Sequence, residues 1–188
     1  IRYDLCLSDT GNKEVDKTNR RYLETVIRHH VSGRFKVAPE HCSPTVLGLM
    51  RKPAFGLFQQ LKSIFDEINR KHRLNEQIIP YFISSHPGCR PEDRAELAVA
   101  TKTLDFKLEQ VQDFTPTPMT VATTIYYSGY HPYSLQKIDT AKSEKEKKQQ
   151  NMFFFWYKRE FREQIMTLLR RIHRADLIPK LYGKEREK

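Results

Sequence analysis

The chain has 188 residues, 38% hydrophobic and 11% aromatic, with 33 basic against 23 acidic side chains and a net charge of +10. That length suits one domain of about 100 to 200 residues, and the aromatic content excludes wholesale disorder. The longest unbroken apolar run, Met152 to Tyr157, falls far short of the roughly 18 to 20 residues that cross a bilayer.

Cys6, Cys42 and Cys89 lie far apart and are odd in number, so neither a disulfide framework nor a close-spaced metal motif is readable, and a reducing, cytoplasmic compartment is expected. The first residue is Ile1, already in an alternating pattern and without a signal peptide, which reads as a cut from a longer protein.

Four strands, each followed by a helical pattern, are expected in chain order. Ile1 to Leu7 alternates like a strand, and Val15, Tyr22, Leu23, Val26 and Ile27 then fall on one helical face. Phe35, Val37 and Ala38 form a short strand running into Pro39; Phe58, Leu61, Ile64, Phe65 and Ile68 mark an amphipathic helix ending in the basic cluster 70–73. Ile78 to Ile83 is a nearly continuous apolar run, as in a strand covered on both faces. Pro91, Glu92 and Asp93 open the next helix, whose inner face is Leu97, Ala98, Thr101 and Leu104. Leu108 to Phe114 is the fourth strand. The alternation predicts an α/β class with a parallel sheet.

Beyond about residue 130 the texture changes. Residues 131–151 read as a polar linker, with an exposed or fraying helix start at 141–151, and residues 152–188 as a small basic helical tail. Residues 142–188 hold fourteen Lys or Arg and seven Asp or Glu, so most of the net charge lies there.

In parallel α/β folds ligands sit beyond the carboxyl ends of the strands. The loops there offer Ser8 and Asp9; Glu40, His41 and Cys42; Ser84, Ser85, His86, Pro87 and Gly88; and Thr115 to Pro118, a polar rim with acid–base capacity. Glu40 and His41 either line a site or cap the helix starting near Pro44. His86 is a ligand contact or a turn residue. Lys36 points to solvent or into a barrel interior, and Gln110 and Gln112 share the side opposite Val111. His29 and His30 are adjacent and make a poor metal pair; His30 falls on the apolar face as a structural histidine. The stripe 152–156 reads as core rather than as a base-stacking platform. Neither a Gly-rich phosphate loop nor a Ser-His-Asp arrangement is legible.

The segments 1–5, 29–41 (His-His-Val-Ser-Gly-Arg-Phe-Lys-Val-Ala-Pro-Glu-His), 46–53, 80–88 (Pro-Tyr-Phe-Ile-Ser-Ser-His-Pro-Gly) and 110–118 (Gln-Val-Gln-Asp-Phe-Thr-Pro-Thr-Pro) resemble, in order, the YgiQ-type radical SAM proteins, cousins of the tRNA methylthiotransferases. The resemblance implies that residues 1–130 are the C-terminal portion of a partial (β/α) TIM-like barrel. It further implies S-adenosylmethionine beside a [4Fe–4S] cluster, reductive cleavage of that cofactor and 5′-deoxyadenosyl radical chemistry. The family's Cys-x3-Cys-x2-Cys loop is absent, so the cluster ligands are expected upstream of Ile1, in a missing N-terminal half, and the fragment alone is expected to be inactive.

Carried over by position, Lys36, Glu40, His41, Ser84, Ser85, His86, Pro87, Gly88, Gln110, Gln112 and Thr115 are the expected cofactor contacts, with no metal ligand and no catalytic residue assigned. The rival expectation is an RNA-binding module that uses the basic tail with Trp156 and Tyr157. No membrane partner is expected.

Overall fold

A computed structural model of the protein describes residues 2–108 and 111–183. The chain divides into two compact units, residues 1–40 with 52–81, and residues 41–51 with 82–188.

The first unit opens with a one-turn helix, α1 (Tyr3–Leu7), where a strand was expected. Asp4 O accepts from both the amide and the hydroxyl of Ser8, closing the turn, and Arg2 pairs with the Asp4 carboxylate. The alternation misleads because, among the described residues of this stretch, only Tyr3 is buried, against Phe58, while Leu5 is 62% exposed. Next, α2 (Lys13–His29) is capped by the Asn12 side chain, which accepts from the amides of Glu14 and Val15. Its inner face is narrower than expected: Leu23 and Ile27 are buried, whereas Val15, Tyr22 and His30 are exposed.

Strand β1 (Arg34–Glu40) alternates strictly, with Phe35, Val37 and Pro39 inward and Lys36 outward. After α3 (Pro44–Met50) of the second unit comes α4 (Phe55–His72), whose five expected inner residues are all buried. Phe35 of β1 stacks on Phe65 of α4 at 5.7 Å and 4°. The basic end of α4 is held by α2, because Glu24 accepts from His72 at 2.7 Å and Lys71 at 3.0 Å.

Strand β2 (Gln77–Ser84) begins where Gln77 N donates to Gly33 O at 2.8 Å. It buries one face, Ile78, Pro80, Phe82 and Ser84, and leaves Tyr81 39% exposed on the other. The continuous apolar run is therefore covered on one face among the described residues, not on both.

In the second unit, α5 (Pro91–Thr103) is followed by β3 (Gln112–Asp113), which pairs parallel to β2 with Ile83 opposite Gln112 and Ser84 opposite Asp113. The strand expected over 108–114 contracts to two residues, with 109 and 110 outside the described residues. The strands run β1-β2-β3, so the expected α/β class with a parallel sheet holds, with three strands rather than four among the described residues.

Then come α6 (Val121–Ser128), α7 (Glu144–Met152), a 3-10 turn over Phe153–Phe155, α8 (Arg159–Arg171) and, after a second such turn, α9 (Ile178–Tyr182). The polar tract is a true helix from Glu144, because Ser143 and Glu146 form a reciprocal capping box. Met152 and Phe153 join Ala95 and Ala98 of α5, Ile165, Leu168 and Leu169 of α8, and Leu177, Ile178 and Leu181 in one apolar core. The stripe at 152–154 is core, as its spacing suggested.

Candidate functional site

The second unit encloses a polar cluster around Arg94. Arg94 occupies the inner face of α5, in register with Leu97, Ala98 and Thr101, and is 1% exposed. A guanidinium stays charged in proteins, and burying it costs several kcal/mol unless its donors are used. Here Nε donates to Cys89 Sγ at 2.7 Å, Nη1 to Ser84 Oγ at 2.9 Å and Nη2 to Gln150 Oε1. The Phe154 ring lies 5.8 Å from its carbon centre. Three charge-assisted bonds of roughly 1.5 to 3 kcal/mol each offset that cost.

His41 is fully buried beside it. Its Nδ1 accepts from Ser43 N at 2.9 Å, so the ring proton sits on Nε2 and faces Cys89 Sγ at 3.2 Å. Burial, reinforced by Arg94, pushes His41 down to about 3, and the ring stays neutral across the physiological range. Asp93 accepts from Ser43 Oγ at 2.7 Å and from Arg90 N at 2.9 Å. Burial pushes the Cys89 thiol up while Arg94 pulls it down, and the net direction is upward. Burial pushes Cys42 up to about 12. With its proton already on Nε2, neutral His41 cannot take the Cys89 proton, so the pair is a packed polar contact and not an activated nucleophile.

The loop leaving β2 is held under backbone strain. Ser85 adopts φ 59°, in the left-handed region, and β1 ends the same way at Glu40, φ 65°. Gly88 has φ 82°, and a Cβ there would lie 2.3 Å from Leu49 Cδ1, so any side chain would be strained by the backbone and would need Leu49 to move. Its amide donates to Asp139 O at 2.8 Å.

Among the expected contacts, His41, Ser84, Ser85, His86 and Gly88 lie in or beside this buried region. Ser84 and Ser85 share a hydroxyl contact at 3.1 Å, and His86 Nδ1 donates to Pro87 O at 2.8 Å with its ring edge-on to Phe114. In the first unit, Glu40 pairs with Lys52 at 3.1 Å and Lys36 is exposed. Gln112 and Thr115 are exposed, and Gln110 lies outside the described residues. Ser43 caps by position, yet its hydroxyl serves Asp93 rather than its own helix. Sequence reasoning missed Arg94, Asp93, Cys89 and Gln150. The signal for Arg94 was a cation at an inner-face position of a predicted helix.

The fold and this cluster define a mixed α/β protein with a parallel sheet and a polar interior at the carboxyl end of β2. Residues 109–185 match the family described as "Domain of unknown function (DUF3362)". The chain is similar to proteins named "UPF0313 protein": 59% identical over 184 residues to one from Bacteroides thetaiotaomicron, covering 98% of this chain and 30% of that protein. The figures for one from Porphyromonas gingivalis are 58%, 98% and 29%, and for one from Methanocella arvoryzae 39%, 95% and 28%. The chain thus spans about 30% of the length of these relatives. Among the described residues no helix is long and apolar enough to cross a membrane.

Proposed function

We propose that the chain is part of a radical S-adenosylmethionine iron–sulfur enzyme, contributing the later strands of its barrel and a basic helical appendage. The observation that carries this reading is the position of the resembling segments. Glu40 ends β1 and His41 follows it, and Ser85 to Gly88 follow the carboxyl end of β2, where a parallel α/β fold presents its ligand loops.

The donor set does not fit the cluster: among the described residues no group of three His, Cys, Asp or Glu can hold a metal ion, and Cys42 and Cys89 are buried thiols pushed upward. Iron–sulfur ligation needs thiolates on one iron cluster, so its ligands belong to the part of the longer protein not represented in these residues. The resemblance supplies the cofactor, and His41 and Ser84, both buried and engaged, act by shaping the loops. The test is anaerobic reconstitution of a whole-length protein containing this segment. Iron–sulfur absorbance, with release of methionine and 5′-deoxyadenosine from S-adenosylmethionine, is expected; a whole protein that takes up no iron overturns the reading.

A second reading, RNA binding by the tail, draws on the exposed cations Lys145, Lys148, Arg159 and Arg171. Its aromatic half does not carry it, because Trp156 Nε1 donates to Thr101 and Tyr157 OH donates to Leu108 O. Any binding is therefore phosphate-driven and steeply salt-dependent. Absence of tRNA binding at low salt ends this reading.

A further inference from the structure

A cleft of about 270 Å³ opens in the second unit between the turn at Cys89 to Pro91, residues 139–141 and α7. We propose that it binds a small amino acid, an α-amino carboxylate with an apolar side chain. The volume is at the lower edge of ligand pockets, which run from roughly 300 to 1,000 Å³, so the ligand is small.

Its lining divides by chemistry. Pro91, Ala141, Phe153 and Leu168 supply an apolar floor. Positive charge reaches the cleft from Arg90 in the turn at 89–91 and from Arg94 behind it. Arg90 is exposed, and its Nε leans on Asp93 at 3.5 Å, which leaves the terminal nitrogens of the guanidinium for a ligand. The first turn of the thirteen-residue α5 begins at Pro91, in the cleft wall, where the carboxylates of Glu92 and Asp93 offset its amide dipoles. Behind the wall, buried Arg94 donates to Cys89 and Gln150, both lining residues, and touches no carboxylate among the described residues. Asp93 engages Arg90 through Nε, so the terminal nitrogens of Arg90 are the donors left to meet a carboxylate.

The other lining segment is acidic. Glu146 spends its Oε2 on the amides of Lys142 and Ser143 and on the Ser143 hydroxyl. Asp139 is exposed, and its carboxylate has no hydrogen bond or ion pair among the described residues. It is therefore the group available to an ammonium. A guanidinium with free terminal nitrogens and an unpartnered carboxylate in one cleft with an apolar floor match a zwitterion better than a simple anion or cation.

The proposal stands apart from the radical-enzyme reading and is tested on the 188-residue chain by titration calorimetry with L-leucine, L-methionine and L-phenylalanine. N-acetyl-L-leucine and L-leucine amide each remove one charge, and each is expected to bind about tenfold more weakly or worse than leucine. Asp139→Asn weakens leucine but leaves N-acetyl-leucine unchanged, and Arg90→Gln weakens leucine but leaves leucine amide unchanged. The idea is overturned if none of the three amino acids binds at about 10 mM, if the blocked ligands bind as well as leucine, or if both variants bind leucine as the parent does. The ligand series needs no mutation, so it decides the matter even where a variant fails to fold.

Discussion

Helices α4 and α5 show the same periodic inner face and do different work with it. In α4 every inner position is apolar, and Phe58, Leu61, Ile64, Phe65 and Ile68 are buried with no polar demand to meet. In α5 two of the inner positions are Asp93 and Arg94, and each must find partners from elsewhere in the chain. Apolar packing degrades gradually when trimmed, whereas a buried charge network fails when one member is removed. At α4 the first unit is held by quantity of contact, whereas at the α5 inner face the second adds to its apolar core a network that depends on complete pairing.

That contrast can be broken most severely at Arg94. Arg94→Ala strands Ser84, Cys89 and Gln150 and is expected to cost about 3 to 5 kcal/mol in urea unfolding. Arg94→Met keeps most of the volume and is expected to cost nearly as much; if it is instead close to neutral, the loss in Arg94→Ala is one of volume, and the distinction between the units collapses. Gly88→Ala forces both a positive φ and the Leu49 contact, and should cost about 2 kcal/mol, part of it restored by Leu49→Ala. In the apolar unit, Ile64→Val is expected to cost only about 1 kcal/mol in the same assay.

The smallest effect is electrostatic. His72 and Lys71 hold the Glu24 carboxyl down to about 2 from its ordinary 4.5, so it is a depressed acid. Its stabilisation is complete above pH 4.5 and drains away as pH falls towards 2. Glu24→Gln, which removes about 1 kcal/mol or less at pH 7 for this partly solvated group, should therefore match the parent at the acid end. Parallel pH–stability curves for parent and variant would remove Glu24 as the cause.

How much of this was legible follows from the same contrast. The α4 face was readable because burial of apolar groups is a local pattern, and the fold class followed from the alternation of such patterns. Ile1 to Leu7 misled because a seven-residue alternation says nothing of a pairing partner, and the chain there closes a helical turn through Ser8 instead. The site was legible only by loop position. Its actual organiser, Arg94, draws Ser84 from 10 positions away and Gln150 from 56, distances over which no local pattern operates. His41 was found as a polar loop residue, but its burial and its fixed tautomer come from Ser43 and Cys89 and are invisible in composition.

The link between Arg94 and Gln150 also sets an order of events in time. Gln150 is made 56 residues after Arg94, a delay of roughly 3 to 11 seconds at ribosomal speeds of about 5 to 20 residues per second. Through that interval the guanidinium has no amide to receive its Nη2 donors, and water must serve in its place. Helix α5 can form early on the emerging chain, but its inner face can dry only after α7 has arrived.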